Sequence, residues 1–82
     1  VSLDYAAFTA RHGPVPLWRQ VAAYIRAAIE DGRLAPGDGL PGEQSIADAM
    51  DVAYPTVRKA LALLREEGLI VTATGIGSFV AE

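Results

Sequence analysis

The sequence predicts a mainly α domain closed by a small antiparallel β-hairpin, and three observations predict it. Three segments carry apolar residues at spacings of three and four, the pattern that lines one face of a helix. The second and third of these segments are separated only by Asp51-Val52-Ala53. After Gly68 the pattern changes to β-branched residues on either side of a Gly-Ile-Gly reversal, which reads as a hairpin. Two helices joined by so short a turn form a helix-turn-helix, and a hairpin following them makes the arrangement a winged helix-turn-helix.

The elements follow in order. Residues 1–15 read as an N-terminal arm, with Leu3, Tyr5 and Phe8 apolar and room for one or two helical turns; Pro14 and Pro16 favour extended backbone at its end. The domain proper is expected over residues 16–82. Leu17, Val21, Ile25, Ala28 and Ile29 mark a first helix from Leu17 to Asp31, with Pro16 suited to its first position and Gly32 to its stop. Pro36-Gly37 fits the two central positions of a type II turn, flanked by Leu34 and Leu40, which can point inward. Ile46, Ala47 and Met50 predict a second helix from Glu43 to Met50, weakly capped by Gly42. A third helix begins near Tyr54 and Pro55, buries Val57, Ala60, Leu61 and Leu64, and stops at Gly68. Leu69–Thr72 and Ser78–Val80 are the hairpin strands, and a short strand near Leu40 would complete the sheet.

Composition narrows the function classes. A chain of 82 residues with 51% hydrophobic residues has material for one core. With no cysteine and one histidine, His12, neither a disulfide nor a thiolate or multi-histidine metal site is available, and a reducing cytoplasm is the expected setting. No apolar run approaches a membrane span, and the N-terminus lacks the order of a signal peptide. No carboxylate pair, nucleophile motif or phosphate loop stands out, so the chain is not expected to be an enzyme, and neither a cofactor nor a small-molecule site is expected. The net charge of −3 weighs against nucleic acid as a partner, but the positions of the seven basic residues matter more than their sum.

Those positions are informative on the third helix. With its apolar stripe turned inward, Tyr54, Thr56, Arg58, Lys59 and Arg65 are left to point elsewhere. Arg58 and Lys59 lie in the first half of the second helix of a helix-turn-helix, the part that meets base edges in the major groove. Arginine can bind guanine bidentately, whereas lysine serves more often as a phosphate anchor. The alternative is a solvated face that only keeps the helix soluble; the short helix before it and the hairpin after it favour the DNA-reading assignment. Trp18, Tyr24 and Phe79 read as packing aromatics and His12 as solvent-exposed.

From Pro16 to Val80 the chain resembles the winged-helix domain of the GntR family of bacterial transcription regulators. The resemblance rests on Pro16-Leu17-Trp18, Gly32-Arg33-Leu34-Ala35-Pro36-Gly37-Asp38, Leu40-Pro41-Gly42-Glu43, Thr56-Val57-Arg58-Lys59-Ala60-Leu61, Glu67-Gly68-Leu69-Ile70 and Gly75-Ile76-Gly77-Ser78-Phe79-Val80. It implies a homodimer on a short palindromic operator in double-stranded DNA, with the third helix in the major groove and the 74–78 wing at the minor groove. Arg58 matches a DNA-contacting arginine of that family and Thr56 a residue that meets phosphate; Thr74, Gly75 and Gly77 fall on the wing.

The departures are equally specific. Gln44 and Tyr54 stand where the family usually has arginines, Ala53 where it has a serine or threonine, and Ile76 where it has a basic or polar residue. Gln44 can still donate to a phosphate or read adenine. Tyr54 can contact the DNA backbone or pack against Pro55. The expected function is therefore sequence-specific DNA binding in transcription, as a repressor. The competing reading, motivated by the acidic balance and the two missing arginines, is a winged-helix module that binds protein. The apolar arm around Leu3, Tyr5 and Phe8 is a candidate interface between copies.

Overall fold

A single 3-10 turn, three α-helices and a β-hairpin follow one another in the computed structural model, which describes residues 3–82. The helices are α1 (Leu17–Glu30), α2 (Glu43–Met50) and α3 (Tyr54–Glu66), and the strands are β1 (Ile70–Ala73) and β2 (Gly77–Val80). The expected mainly α winged helix-turn-helix is thus the observed one. No helix among the described residues is long and apolar enough to cross a membrane.

The helices form where spacing predicts and end where backbone chemistry requires. Pro16 is the N-cap of α1 rather than its first helical residue, because its ψ of 149° is extended. The helix buries Val21, Ala22, Ile25 and Ala28. Leu17 belongs to the same stripe by periodicity, but as the first residue of the helix it lies at the rim of the core and is 36% exposed. The α2 helix spans the predicted residues, burying Ile46, Ala47 and Met50. Asp51 then takes a left-handed conformation (φ 57°, ψ 49°), which short polar residues tolerate better than most, and this sends the Val52 amide back to the Ala47 carbonyl at 3.1 Å. That reversal brings α3 across α2, so that Val57, Ala60, Leu61 and Leu64 complete the core.

The hairpin is in register from Ile70 opposite Val80 to Ala73 opposite Gly77, and only Ile70 and Val80 reach the core. The third strand expected near Leu40 is reduced to one bridge between Gly39 and Phe79. Its hydrogen bonds are nevertheless made: Leu40 N–H donates to Ser78 O at 2.8 Å and Val80 N–H to Asp38 O at 2.8 Å. The segment leaves the sheet at once because Pro41 has no amide to continue the ladder. The Pro36-Gly37 turn forms as predicted, with Gly37 at φ +86° and Asp38 N–H donating to Ala35 O at 3.0 Å.

The arm is not a loose appendage. Leu3 and Tyr5 are buried in the core shared by the three helices, and Phe8 packs edge-on to Tyr24 with centroids 5.4 Å apart. The Tyr24 hydroxyl donates to the Asp4 carbonyl at 2.7 Å. The apolar residues considered above as an interface between copies are therefore occupied within the chain itself.

Candidate nucleic-acid interface

The outer face of α3 is set by its inner face. Because Val57, Ala60, Leu61 and Leu64 are fully buried, Arg58 and Lys59 project on the far side, the Arg58 side chain 64% exposed. No side-chain cap holds the start of the helix: Ala53 is the N-cap, at φ −68° and ψ 144°, and the first turn relies on Pro55 for its backbone angles.

Three side chains meet at the mouth of the helix-turn-helix. The Tyr54 hydroxyl donates to Glu43 Oε1 at 3.1 Å, and the Arg58 Nε lies 3.8 Å from the same oxygen. The Arg58 guanidinium also sits over the Tyr54 ring, 5.9 Å from its centroid. Glu43 belongs to the first turn of α2, so one carboxylate meets the first residue of α3 and a second residue one turn further on. Tyr54 here neither packs against Pro55 alone nor projects freely; its phenol reaches the acid on the neighbouring helix. The sequence places Glu43 at the start of the second helix and within a matching segment, but its contacts are set by how α2 and α3 cross.

The remaining predicted residues are spread around this cluster. Lys59 lies over the Trp18 ring of α1, with Nζ 4.6 Å from the centroid. Thr56, half-buried, sits on the opposite flank of α3 from Tyr54 and Arg58. Gln44 is exposed but engaged, donating to Asp48 Oδ1 at 3.0 Å one helical turn on. Thr74, Gly75 and Gly77 form the tip of the hairpin, where Gly75 (φ +78°) and Gly77 (φ +131°) adopt angles that a side chain would strain. Ile76 stands between them, 75% exposed. The hairpin carries no lysine or arginine, so its tip offers only backbone amides, the Thr74 hydroxyl and an apolar side chain. Arg65 anchors it from below, Nη1 donating to Thr72 Oγ1 at 3.0 Å.

Charge is sorted over the surface in a way the net value conceals. Arg26 forms a two-bond pair with Glu67, at 2.9 Å each, and that carboxylate raises its pKa. Arg33 pairs with Asp31 at 2.9 Å, and the guanidinium holds the Asp31 carboxyl below its ordinary value. Among the described residues, Arg11, Arg19, Lys59 and Arg65 have no carboxylate partner, and Arg65 is engaged instead by Thr72. Arg19 and Lys59 both lie against the ring of Trp18, the guanidinium of Arg19 at 4.9 Å. Arg19 and Lys59 thus meet where α1 begins, beside the exposed face of α3, while Arg65 lies against the hairpin. Trp18, read from sequence as a packing aromatic, is half-buried and joins these cations; nothing in local spacing relates it to Lys59.

Comparison with known proteins follows the same outline. Residues 17–80 match the family described as bacterial regulatory proteins, gntR family. The mannosyl-D-glycerate transport/metabolism system repressor MngR of Escherichia coli (strain K12) is 41% identical over 70 residues, 85% of this chain and 29% of that protein. The HTH-type transcriptional repressor NagR of Bacillus subtilis (strain 168) is 33% identical over 72 residues, 88% of this chain and 30% of that protein. The chain thus spans less than a third of the length of these relatives. Among solved structures, AraR(DBD) in complex with operator ORX1 superposes with a TM-score of 0.80 at 30% identity, covering 90% of this chain and 92% of that one.

Proposed function

This chain belongs to the gntR family of bacterial regulatory proteins, and from that premise we propose that it is a sequence-specific DNA-binding domain of a transcriptional repressor. In this reading α3 enters the major groove of a short palindromic operator. Arg58 reads a base edge there, the commonest such contact being arginine to guanine O6 and N7. Lys59, Thr56 and Gln44 contact phosphates, and the Tyr54 phenol orients Glu43 beside Arg58. The hairpin tip at Thr74, Gly75 and Gly77 approaches the minor groove. Two copies occupy the two halves of the operator, in the cytoplasm, and the domain itself performs no catalysis.

The observation that carries the reading is the exposed Arg58 on the outer face of α3, beside Lys59 and the unpartnered cations that gather at Trp18. Repressor names among the relatives and the operator-bound AraR(DBD) neighbour support it. The test is an anisotropy titration on duplexes tiling the promoter adjacent to its gene, with Arg58→Ala alongside. The variant is expected to lose about 1–3 kcal/mol of discrimination between the bound duplex and an unrelated one. Equal discrimination by the variant would remove Arg58 from the site, and no binding at the lowest salt would reject the function.

A further inference from the structure

Gln20 of α1 holds the arm by three hydrogen bonds. Its Nε2 donates to Arg11 O and to Val15 O, each at 2.9 Å, and its Oε1 accepts from Arg11 N–H at 2.7 Å. One amide side chain thereby closes residues 11–15 back onto the start of α1. A groove of about 680 Å³ opens along this loop, with Arg11, His12 and Arg19 on its walls and Phe8 and Tyr24 below; no Asp or Glu lines it. On a chain of net charge −3 that composition is selective.

We propose that this stapled loop is a second contact for the DNA backbone, extending the basic surface of Lys59 across Trp18 to Arg19 and Arg11. The proposal rests on the function assigned above and adds a surface to it. Two cations held against one aromatic ring repel each other, and an anion between them relieves that repulsion. A phosphodiester chain is the complement of such a row: it is singly charged at each step and is bound without regard to sequence. The Gln20 staple matters because a contact already ordered in the free protein loses less entropy on binding. Arg11 therefore contributes affinity and orientation, and Arg58 contributes selection.

The experiment measures log affinity against log salt for a duplex selected from a random library by the wild-type chain, and for an unrelated duplex of equal length. Arg11→Gln is expected to make the slope shallower by about 0.9, the value of one phosphate contact, and to weaken both duplexes by the same factor. Gln20→Ala, which leaves every charge in place, is expected to weaken both duplexes while the domain stays folded at the temperature of the titration. Arg33→Gln changes the net charge as Arg11→Gln does but lies outside the groove, and is expected to leave the slope as in the wild type. A wild-type slope for Arg11→Gln, or an equal loss from Arg33→Gln, overturns the proposal while leaving the α3 reading intact. A preference of the groove for an acidic protein segment over duplex DNA, with the slope unmoved, overturns it as well. Wild-type chain that binds no duplex at all overturns both.

Discussion

The Tyr54 hydroxyl and the Glu43 carboxylate are joined at 3.1 Å across the helix-turn-helix, with the Arg58 Nε 3.8 Å from the same carboxylate oxygen. A negative charge is thus built into the face proposed to meet a polyanion. In the proposed reading this charge is expected to hold Arg58 back from non-specific phosphates and to yield where a base edge compensates. Glu43→Gln is expected to tighten binding to unrelated duplex DNA by up to about fivefold, the scale of an exposed ion pair of up to about 1 kcal/mol, while the selected duplex gains less. Parallel titrations on the two duplexes check it; an unchanged ratio would mean that Glu43 does not restrain Arg58.

The uncapped start of α3 makes a prediction of opposite sign for stability. Ala53 has extended N-cap angles but no side-chain oxygen to meet the free amides of the first turn. Ala53→Ser should supply one and stabilise the domain by about 1 kcal/mol, read as a raised urea midpoint at constant m-value. A loss of stability would show that the Ala53 position cannot turn a hydroxyl toward those amides.

Tyr5 couples the arm to alkaline pH. Its ring is buried, its hydroxyl has no hydrogen-bond partner among the described residues, and burial pushes its pKa from 10.0 up to about 12. Below pH 10 both folded and unfolded chains keep this proton, so the contribution is fully present; between about pH 10 and 12 the unfolded chain ionises first. Stability should fall there by roughly 1.4 kcal/mol per pH unit from this residue. Tyr5→Phe removes both the unsatisfied hydroxyl and the titration. It should gain about 1 kcal/mol near neutrality and show a shallower alkaline decline in chemical denaturation.

Arg26 and Glu67 tie α1 to the end of α3. Glu67 follows the C-terminus of α3, where the helix dipole disfavours a negative charge, and Arg26 offsets this. Arg26→Ala should cost about 0.5–1 kcal/mol, less at high salt, with DNA affinity unchanged because the pair lies away from the proposed contacts. Urea titrations at two ionic strengths check it.

Much of the fold was legible because it depends on local chemistry. Ile46, Ala47 and Met50, and Val57, Ala60, Leu61 and Leu64, form stripes of helical period, and burial follows those stripes residue by residue. Pro36-Gly37 predicts its turn because the backbone angles of those two residues are restricted in complementary ways. Prediction was less accurate at element ends. Leu17 has the right period but sits at the rim, and the segment near Leu40 makes strand hydrogen bonds without extending into a strand. Both outcomes depend on what lies beyond the end of an element, which periodicity does not contain.

By itself, then, the sequence determined three helices and a hairpin, the residues that line the core, and the exposure of Arg58 and Lys59 on α3. Period and turn chemistry act within a few residues of chain, and that range suffices for these features. Only the tertiary structure decided that Glu43 faces Tyr54 and Arg58, that Trp18 joins Lys59 to Arg19, and that Gln20 holds the arm against α1. Those pairs come from different elements, and their meeting depends on the angle at which α2 and α3 cross and on the docking of the arm through Leu3 and Tyr5. Burial of apolar surface sets that geometry, and the polar side chains at its margin find their partners as a consequence.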